Sequence, residues 1–196
     1  KDMTKDLVKT IAKLKKIPPY IHLPFQSGDN QILKKMNRHY TQEKYLDLIN
    51  FIRKTIPNAT ITTDIIVGFP GETKEMFNNT IEVVKQAKFD MAYIALYSPR
   101  PGTAAAKFED NVKPAVKRKR EQILTKLIGQ SSLENNKKLV GQQIKVLVES
   151  KKRNYCYGRT NNWKVVKFKG DKKIIGKFVN LKIVQAQFWK LIGEIK

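Results

Sequence analysis

One stretch of the sequence is decisive for the fold: Thr62-Thr63-Asp64-Ile65-Ile66-Val67-Gly68-Phe69-Pro70-Gly71-Glu72-Thr73, or TTDIIVGFPGET. Its first half is an apolar run of strand-forming residues. The run stops at a turn that contains two glycines and a proline, and a helix start follows at Glu72-Thr73. A strand that ends in a glycine turn and leads into a helix is typical of a βα unit whose turn holds a ligand.

Similar units lie on both sides of this one. Strands are predicted at residues 20–25, 60–67 and 90–97, so the strand starts are about 40 and then about 30 residues apart. This spacing predicts parallel α/β units with right-handed crossovers. Helical patterns precede and follow the strands, at residues 2–16, 29–37, 41–55, 72–88 and 113–137.

The residue composition and the spacing of turns change after residue 139. Short β-branched and aromatic segments alternate with Gly, Asn and Lys, and a turn falls about every ten residues. This pattern predicts about five antiparallel strands in a small all-β barrel of OB-like size. We place the boundary at Leu139-Val140-Gly141, which gives an α/β domain over 1–138 and a β-barrel domain over 139–196.

The net charge favours a polyanionic partner. The chain has 39 Lys and Arg against 17 Asp and Glu, a net charge of +22. Half of this excess lies in residues 139–196, which hold 14 basic and 3 acidic residues. RNA or DNA is therefore favoured over a membrane. The alternative is a genome-wide enrichment in lysine.

The turn after the central strand does not match a phosphate-binding loop. It contains neither GxxxxGK[ST] nor GxGxxG, and Glu72 places negative charge where phosphate would bind. A ligand with a cationic or neutral group is favoured instead. Period-two alternation puts Asp64, Ile66 and Gly68 on one strand face. We expect Asp64 either to face a ligand on the inner side of a barrel formed by the parallel α/β units, or to form hydrogen bonds with neighbouring backbone.

The remaining reactive side chains form no catalytic set. His22, inside a strand, is expected in the core, and His39 at the surface. The single cysteine, Cys156, is expected to be a small core residue. No metal-ligand spacing and no carboxylate pair is present, so neither a catalytic residue nor a metal site is predicted in this chain.

The predicted barrel carries an RNA-binding pattern in which basic and aromatic residues interleave. Phe168 and Phe178 are expected to fill the barrel core. The predicted RNA contacts are Arg159, Lys164, Lys167 and Lys169.

The cell compartment follows from two absences in the sequence. One cysteine allows no internal disulfide, which fits a reducing cytoplasm. No apolar run approaches the ~20 residues of a membrane span, so no membrane partner is expected.

Four motifs together resemble the methylthiotransferases of the radical S-adenosylmethionine superfamily. They are HLPFQSG, LKKMNRHYT, TTDIIVGFPGET and YSPRPGTAAAK, and they occur in the family's order over residues 22–107. The segments GRTNNWKVVKFKG and IGKFVNLKI resemble the family's RNA-binding TRAM domain. One departure is Ala104, where the family usually has proline.

The resemblance implies the last three βα units of a partial TIM barrel followed by a TRAM barrel. It is strongest to the branch that converts N6-isopentenyladenosine, next to the tRNA anticodon, into its 2-methylthio derivative. Enzymes acting on threonylcarbamoyladenosine are the alternative, and a non-catalytic RNA-binding protein is another. The implied RNA partner is the tRNA anticodon stem-loop.

The resemblance also implies a cofactor site. Gly68, Phe69, Pro70, Gly71 and Ile66 would pack along the adenine of S-adenosylmethionine, beside Asp64. Gln26 and Ser27 would border its ribose or methionyl end. Arg100 would face the cofactor carboxylate or the RNA.

Part of the family's machinery has no counterpart in these 196 residues. The family holds two 4Fe–4S clusters through a CxxxCxxC motif and three further cysteines, and this chain has one cysteine. The resemblance implies that the missing parts precede residue 1, in a full-length protein that is a monomer. The strand at 20–25 would then be a bare sheet edge, so we expect the chain alone to be weakly stable or to self-associate.

Overall fold

The computed structural model describes residues 3–195 and contains the predicted α/β region. Strands β1 (Tyr20–His22), β2 (Thr60–Val67) and β3 (Met91–Leu96) form a parallel sheet with β2 in the middle. β1 is therefore an edge strand, as predicted, but it is three residues long because the chain leaves the sheet after His22. The predicted self-association remains a prediction.

The helices follow the predicted order with shorter limits. Residues 1 and 2 lie outside the described part, and the predicted first helix begins only at Lys5, because Thr4 caps it. Only Val8 of that helix is fully buried, while Leu7 and Leu14 are 41% and 48% exposed. The helices are α1 (Lys5–Lys13), α2 (Asn30–Lys35), α3 (Gln42–Thr55), α4 (Lys74–Ala87) and α5 (Pro114–Lys137).

Alternation along β2 separates the core from the opposite sheet face. Ile61, Ile65 and Val67 are fully buried against the helices, where they join the main apolar cluster. Asp64 and Ile66 are only partly buried and point the other way. We call this second side the inner face of the sheet. It carries Tyr20, His22, Thr62, Asp64, Ile66, Tyr93 and Ala95.

The C-terminal region is a closed five-stranded barrel, as predicted. Its strands follow the order β4-β5-β6-β8-β7. The prediction of purely antiparallel pairing was wrong, because β6 and β8 pair in parallel through Val166–Phe168 and Leu191–Gly193. The strands are β4 (Gln143–Lys152), β5 (Tyr155–Thr160), β6 (Val165–Lys169), β7 (Phe178–Ala186) and β8 (Leu191–Ile195).

Only one of the two phenylalanines predicted for the barrel core lies in it. Phe168 is 1% exposed and Cys156 is fully buried beside it. Phe178 is 62% exposed, so its assignment to the core was wrong. Phe178 starts β7 on the outer surface, where the ammonium of Lys145 lies 4.8 Å from its ring centroid.

A buried polar cluster joins the barrel to the amino ends of the parallel strands. Nζ of Lys164 donates to Oδ1 of Asp90 at 2.7 Å and to Oδ1 of Asn136 at 2.8 Å. Oδ2 of Asp90 accepts the backbone N–H of Ile61 at 2.9 Å. The side chains of Lys164 and Asp90 are 11% and 6% exposed. This pair ties together residues 74 positions apart in the sequence.

Among the helices of residues 3–195, none combines the length and the apolar character needed to cross a membrane.

We predict that Asp90→Ala lowers the free energy of unfolding by about 3–5 kcal/mol, because it leaves a buried ammonium without its anion. Urea unfolding measures the loss. The control is Glu82→Ala, which removes the exposed pair with Lys85 and should cost less than about 0.5 kcal/mol. Equal losses in the two variants would show that the Asp90 pair does not hold the barrel in place.

Candidate functional site

A large cavity lies at the carboxyl ends of the parallel strands. Its volume is about 670 Å³, which is in the range of small-molecule sites. In parallel α/β folds this edge of the sheet is where ligands bind. The cavity is lined by Gln26, Lys35, Met36, Asn37, Arg38, Asp64, Ile65, Ile66, Phe69, Tyr93, Ala95, Leu96, Tyr97, Ser98, Arg100, Thr103, Ala104 and Ala105.

The inner face of the sheet forms one wall of this cavity. Asp64 is the register partner of Tyr93, and Ile66 is the register partner of Ala95. Ile66 and Phe69 belong to a small apolar cluster with Tyr97, whose ring packs edge-on against Phe69 at 5.1 Å. This part of the wall suits a flat apolar group.

Gln26 enters the cavity from a strained backbone position. Its φ is +68°, a left-handed conformation that costs a non-glycine residue about 1–2 kcal/mol. Two hydrogen bonds to β2 hold it there. The N–H of Gln26 donates to the Asp64 carbonyl at 2.7 Å, and the Gln26 carbonyl accepts the N–H of Ile66 at 2.9 Å. Strain maintained by such bonds is typical of functional positions.

His22 is not in the core, contrary to the prediction, but on the inner face beside Asp64. Its Nε2 donates to Oδ2 of Asp64 at 3.2 Å, and its Nδ1 lies 3.0 Å from Oγ1 of Thr62. The side chains of His22 and Asp64 are 36% and 37% exposed. His39 is exposed at the surface, as expected. Of the two roles expected for Asp64, the structure favours the position facing the cavity.

Basic side chains surround the cavity mouth. Lys35, Arg38 and Arg100 line it and are exposed. A ligand with a carboxylate or phosphate would be attracted to this rim, while its flat part could lie on Ile66 and Phe69. Asp64 and Gln26 can accept hydrogen bonds from an amino or hydroxyl group.

The predicted cofactor residues separate into two groups. The cavity is lined by Gln26, Asp64, Ile66, Phe69 and Arg100. Ser27, Gly68, Pro70 and Gly71 do not line it. Ser27 is fully buried, and its hydroxyl accepts the N–H of Asp29 at 3.3 Å. These four residues therefore lie outside the cavity, and the ligand contacts expected of them remain predictions.

Gly68 is a glycine for a packing reason. Its φ is +71°, and a Cβ at this position would lie 2.3 Å from Cγ of Lys117. Lys117 cannot easily move, because its Nζ is buried and donates to Asp110 at 2.7 Å and to the Tyr97 carbonyl at 3.1 Å. The glycine thus makes room for a buried lysine of α5.

The negative charge of Glu72, near the start of α4, is paired within the protein. Its carboxylate is buried, accepts the N–H of Gly68 at 2.6 Å and pairs with the guanidinium of Arg120. Burial raises the pKa of Glu72, and the bonds from Gly68 and Arg120 oppose that rise. The residue closes the turn after β2 and ties it to α5.

The side chains of the described residues do not form a metal centre by themselves. Within residues 3–195, no group of three or more His, Cys, Asp and Glu side chains could hold a metal ion. The single cysteine of the chain is inside the barrel core. Iron–sulfur clusters need several cysteine thiolates, which these residues do not supply.

The basic surface of the barrel follows the alternation of β5 and β6. Cys156, Val166 and Phe168 point inward, and Tyr155, Tyr157, Arg159, Lys167 and Lys169 occupy the outward positions. Nζ of Lys167 lies 3.8 Å from the Tyr155 ring centroid. Lys164 is part-buried in its pair with Asp90 and does not share the outward position of the other three residues, and its RNA contact remains a prediction.

Several cavity residues were missed by the sequence reasoning. Tyr93 is 61% exposed on the inner face, and strand alternation could have found it. Lys35 and Arg38 lie within the quoted motif LKKMNRHYT, but nothing in that motif indicates where its side chains point.

The comparisons with known proteins identify both regions. Residues 2–84 match the family model of the radical SAM superfamily, and residues 137–196 match that of the TRAM domain. The coproporphyrinogen III oxidase of Escherichia coli, whose structure is described as that of a radical SAM enzyme, is similar with a TM-score of 0.55 at 21% identity. The similarity covers 67% of this chain and 30% of that one. The chain therefore combines a region that matches the radical SAM superfamily with a region that matches the TRAM domain.

Curated relatives make the class more specific. The chain is 50% identical, over 99% of its length, to the tRNA-2-methylthio-N(6)-dimethylallyladenosine synthase of Clostridium botulinum (strain Langeland). It is 48% identical, over 98% of its length, to the enzyme of that name from Pelotomaculum thermopropionicum. The predicted resemblance to radical SAM methylthiotransferases is confirmed. The chain spans 44% of the length of each of these relatives.

We predict that Gly68→Ala destabilises the protein by about 2–5 kcal/mol, from left-handed strain and overlap with Lys117. Gly102→Ala is the matched control. Gly102 has φ +81° but no heavy atom within 4 Å of the added Cβ, so it should lose only about 1–2 kcal/mol. Urea unfolding of both variants separates the cost of left-handed strain from the cost of overlap with Lys117. Equal losses of unfolding free energy in the two variants would mean that the packing of Lys117 does not require a glycine at position 68.

Proposed function

We propose that this chain supplies the cofactor cavity and the RNA-binding barrel of a tRNA methylthiotransferase. The reaction would add a methylthio group to C2 of N6-isopentenyladenosine beside the anticodon. The observation that carries the proposal is the cavity at the strand ends, in a chain 50% identical to enzymes named for that product. We expect the protein to act in the cytoplasm, as a monomer.

S-adenosylmethionine fits the residues around the cavity. Ile66 and Phe69 offer a flat apolar surface for adenine, and Asp64 and Gln26 offer acceptors for amino or hydroxyl groups. Arg38 or Arg100 can pair with the methionyl carboxylate. The cofactor would supply the methyl group of the product.

The residues of this chain do not fit the two iron–sulfur clusters that the superfamily resemblance implies. Cys156 is buried in the TRAM barrel, far in sequence from the cavity residues, and no other cysteine is present. Cluster ligands would have to come from the parts of the relatives that this chain does not match.

The chain's own residues have binding and orienting roles in this proposal. The pair of Gln26 with β2 fixes one side of the cavity, and His22 holds the Asp64 carboxylate in place. The apolar cluster around Phe69 excludes water from the adenine side. The outward residues Arg159, Lys167 and Lys169 would neutralise phosphates of the anticodon stem-loop.

Two alternatives differ from this proposal in testable ways. A threonylcarbamoyladenosine-specific enzyme would use the same cavity with another target nucleoside. A non-catalytic RNA-binding protein would need only the basic barrel. The cavity favours catalysis, because RNA binding alone gives no reason for a strained Gln26 beside an apolar wall.

The experiment begins with the coding frame upstream of Lys1. We expect a CxxxCxxC motif there; a frame that starts at Lys1 would remove the catalytic proposal.

The protein from the complete frame is then purified anaerobically and incubated with S-adenosylmethionine, reductant, a sulfur donor and tRNA. Nucleoside mass spectrometry should show the methylthio product with N6-isopentenyladenosine tRNA. Product only with threonylcarbamoyladenosine tRNA would support the first alternative.

We predict a specific salt dependence for RNA binding. Replacing Arg159, Lys167 and Lys169 by Ala should flatten the slope of log K against log salt by about 2, at about 0.7 per lost phosphate contact. The matched control removes three exposed lysines of the N-terminal segment, Lys13, Lys15 and Lys16. Filter binding or anisotropy with an anticodon stem-loop measures both. The same slope in both variants would contradict the assignment to the barrel surface.

A further inference from the structure

Trp163 of the TRAM barrel has an unusual backbone conformation. Its φ is +67°, in the left-handed region that a bulky residue rarely adopts, and its side chain is 45% exposed. The β5–β6 turn maintains this conformation: the N–H of Trp163 donates to the Thr160 carbonyl at 3.0 Å. A strained aromatic residue that stays exposed needs a reason beyond packing.

The residues on both sides of Trp163 fasten the turn to the α/β region. Asn162 donates to the Asn58 carbonyl at 3.3 Å, and Lys164 forms the buried pair with Asp90. The Trp163 ring is thereby placed 5.8 Å from the ring of Tyr20, at the start of β1. The TRAM barrel thus places an aromatic ring at the end of the inner face where the parallel strands begin.

A continuous row of side chains leads from this point to the cavity. Oγ1 of Thr62 lies 3.1 Å from the Tyr20 hydroxyl and 3.0 Å from Nδ1 of His22, which bonds to Asp64 through Nε2. Asp64 lines the cavity beside Tyr93. From Thr60, the register partner of Tyr20, to Asp64, the register partner of Tyr93, the strand rises by ~13 Å, enough for a short stretch of a single strand.

Two exposed aromatic rings stand at the ends of this row. Tyr93 is 61% exposed at the cavity end, with its ring 6.3 Å from that of His22. Trp163 is at the other end, where the guanidinium of Arg159 lies 5.0 Å from its ring. Aromatic rings beside cations are the usual platform for unpaired bases.

We propose that the inner face from Trp163 to Tyr93 binds the unpaired nucleotides of the RNA substrate. Trp163 stacks on a base at the TRAM end, and Tyr93 stacks on the base that enters the cavity. This inference rests on the proposed function and assigns a path to its substrate. A single RNA strand is the occupant because the chain carries a net charge of +22, and Arg159 and Arg38 lie at the two ends of the path.

The two tryptophans of the chain provide the test. Trp163 and Trp189 are each 45% exposed, and Trp189 lies in the β7–β8 loop, where it lines a small cavity with Leu133 of α5. Trp189→Phe leaves Trp163 as the only tryptophan, and Trp163→Phe leaves Trp189. We expect a synthetic anticodon stem-loop with N6-isopentenyladenosine to quench the fluorescence of Trp163 and to leave that of Trp189 unchanged.

Affinity measurements cover the other end of the path. Tyr93→Ala should weaken binding of the same RNA by about 5- to 100-fold, the equivalent of about 1–3 kcal/mol for one stacked base. Tyr93→Phe keeps the ring and should bind within about twofold of the unmodified chain. Because Tyr93 is exposed, these variants are expected to fold, and Trp189→Ala is the matched surface control.

The outcomes separate the two proposals. Quenching of Trp189 rather than Trp163, or an unchanged affinity of Tyr93→Ala, would overturn the path while leaving RNA binding intact. Absence of any binding of the stem-loop by the unmodified chain would overturn both the path and the RNA-directed function.

Discussion

The buried ion pair between Arg120 and Glu72 is the interaction on which the cavity end of the molecule depends. Arg120 also donates to the carbonyls of Glu72 and Thr73, so one guanidinium fixes the whole connection from β2 to α4. Glu72 in turn holds the N–H of Gly68. Because a buried charge without its partner is very unfavourable, the turn has one stable arrangement, and the cavity wall formed by Ile66 and Phe69 is set by it.

Helix α5 carries this constraint to the other end of the molecule. Near its start, Lys117 and Arg120 are buried against the strand ends. Near its end, Asn136 accepts a hydrogen bond from Lys164 and donates to the Gln187 carbonyl of the TRAM barrel. The Ser132 hydroxyl donates to the Phe188 carbonyl in the same loop. The helix has few apolar buried residues because its contacts are largely polar and specific.

The parts of the structure that the sequence predicts are those encoded locally. Apolar runs and glycine turns located β2 and β3, and the alternation in β2 put Asp64 and Ile66 on the cavity side. The errors concern partners distant in the chain. The ion pairs of Lys164 and Glu72 were not foreseen, because their partners Asp90 and Arg120 are 74 and 48 residues away in the chain. Phe178 was assigned to the core because composition does not reveal which way a residue at a strand start will point.

The length of α5 has a geometric consequence. Its 24 residues form a rod of ~36 Å, anchored at one end to the turn after β2 and at the other to the TRAM barrel. The two binding surfaces are therefore held at a fixed separation. Under the proposed function, an RNA would reach both surfaces only when its reactive base projects from its charged stem by the distance between them. A fixed spacing of this kind would select loop size without reading any base.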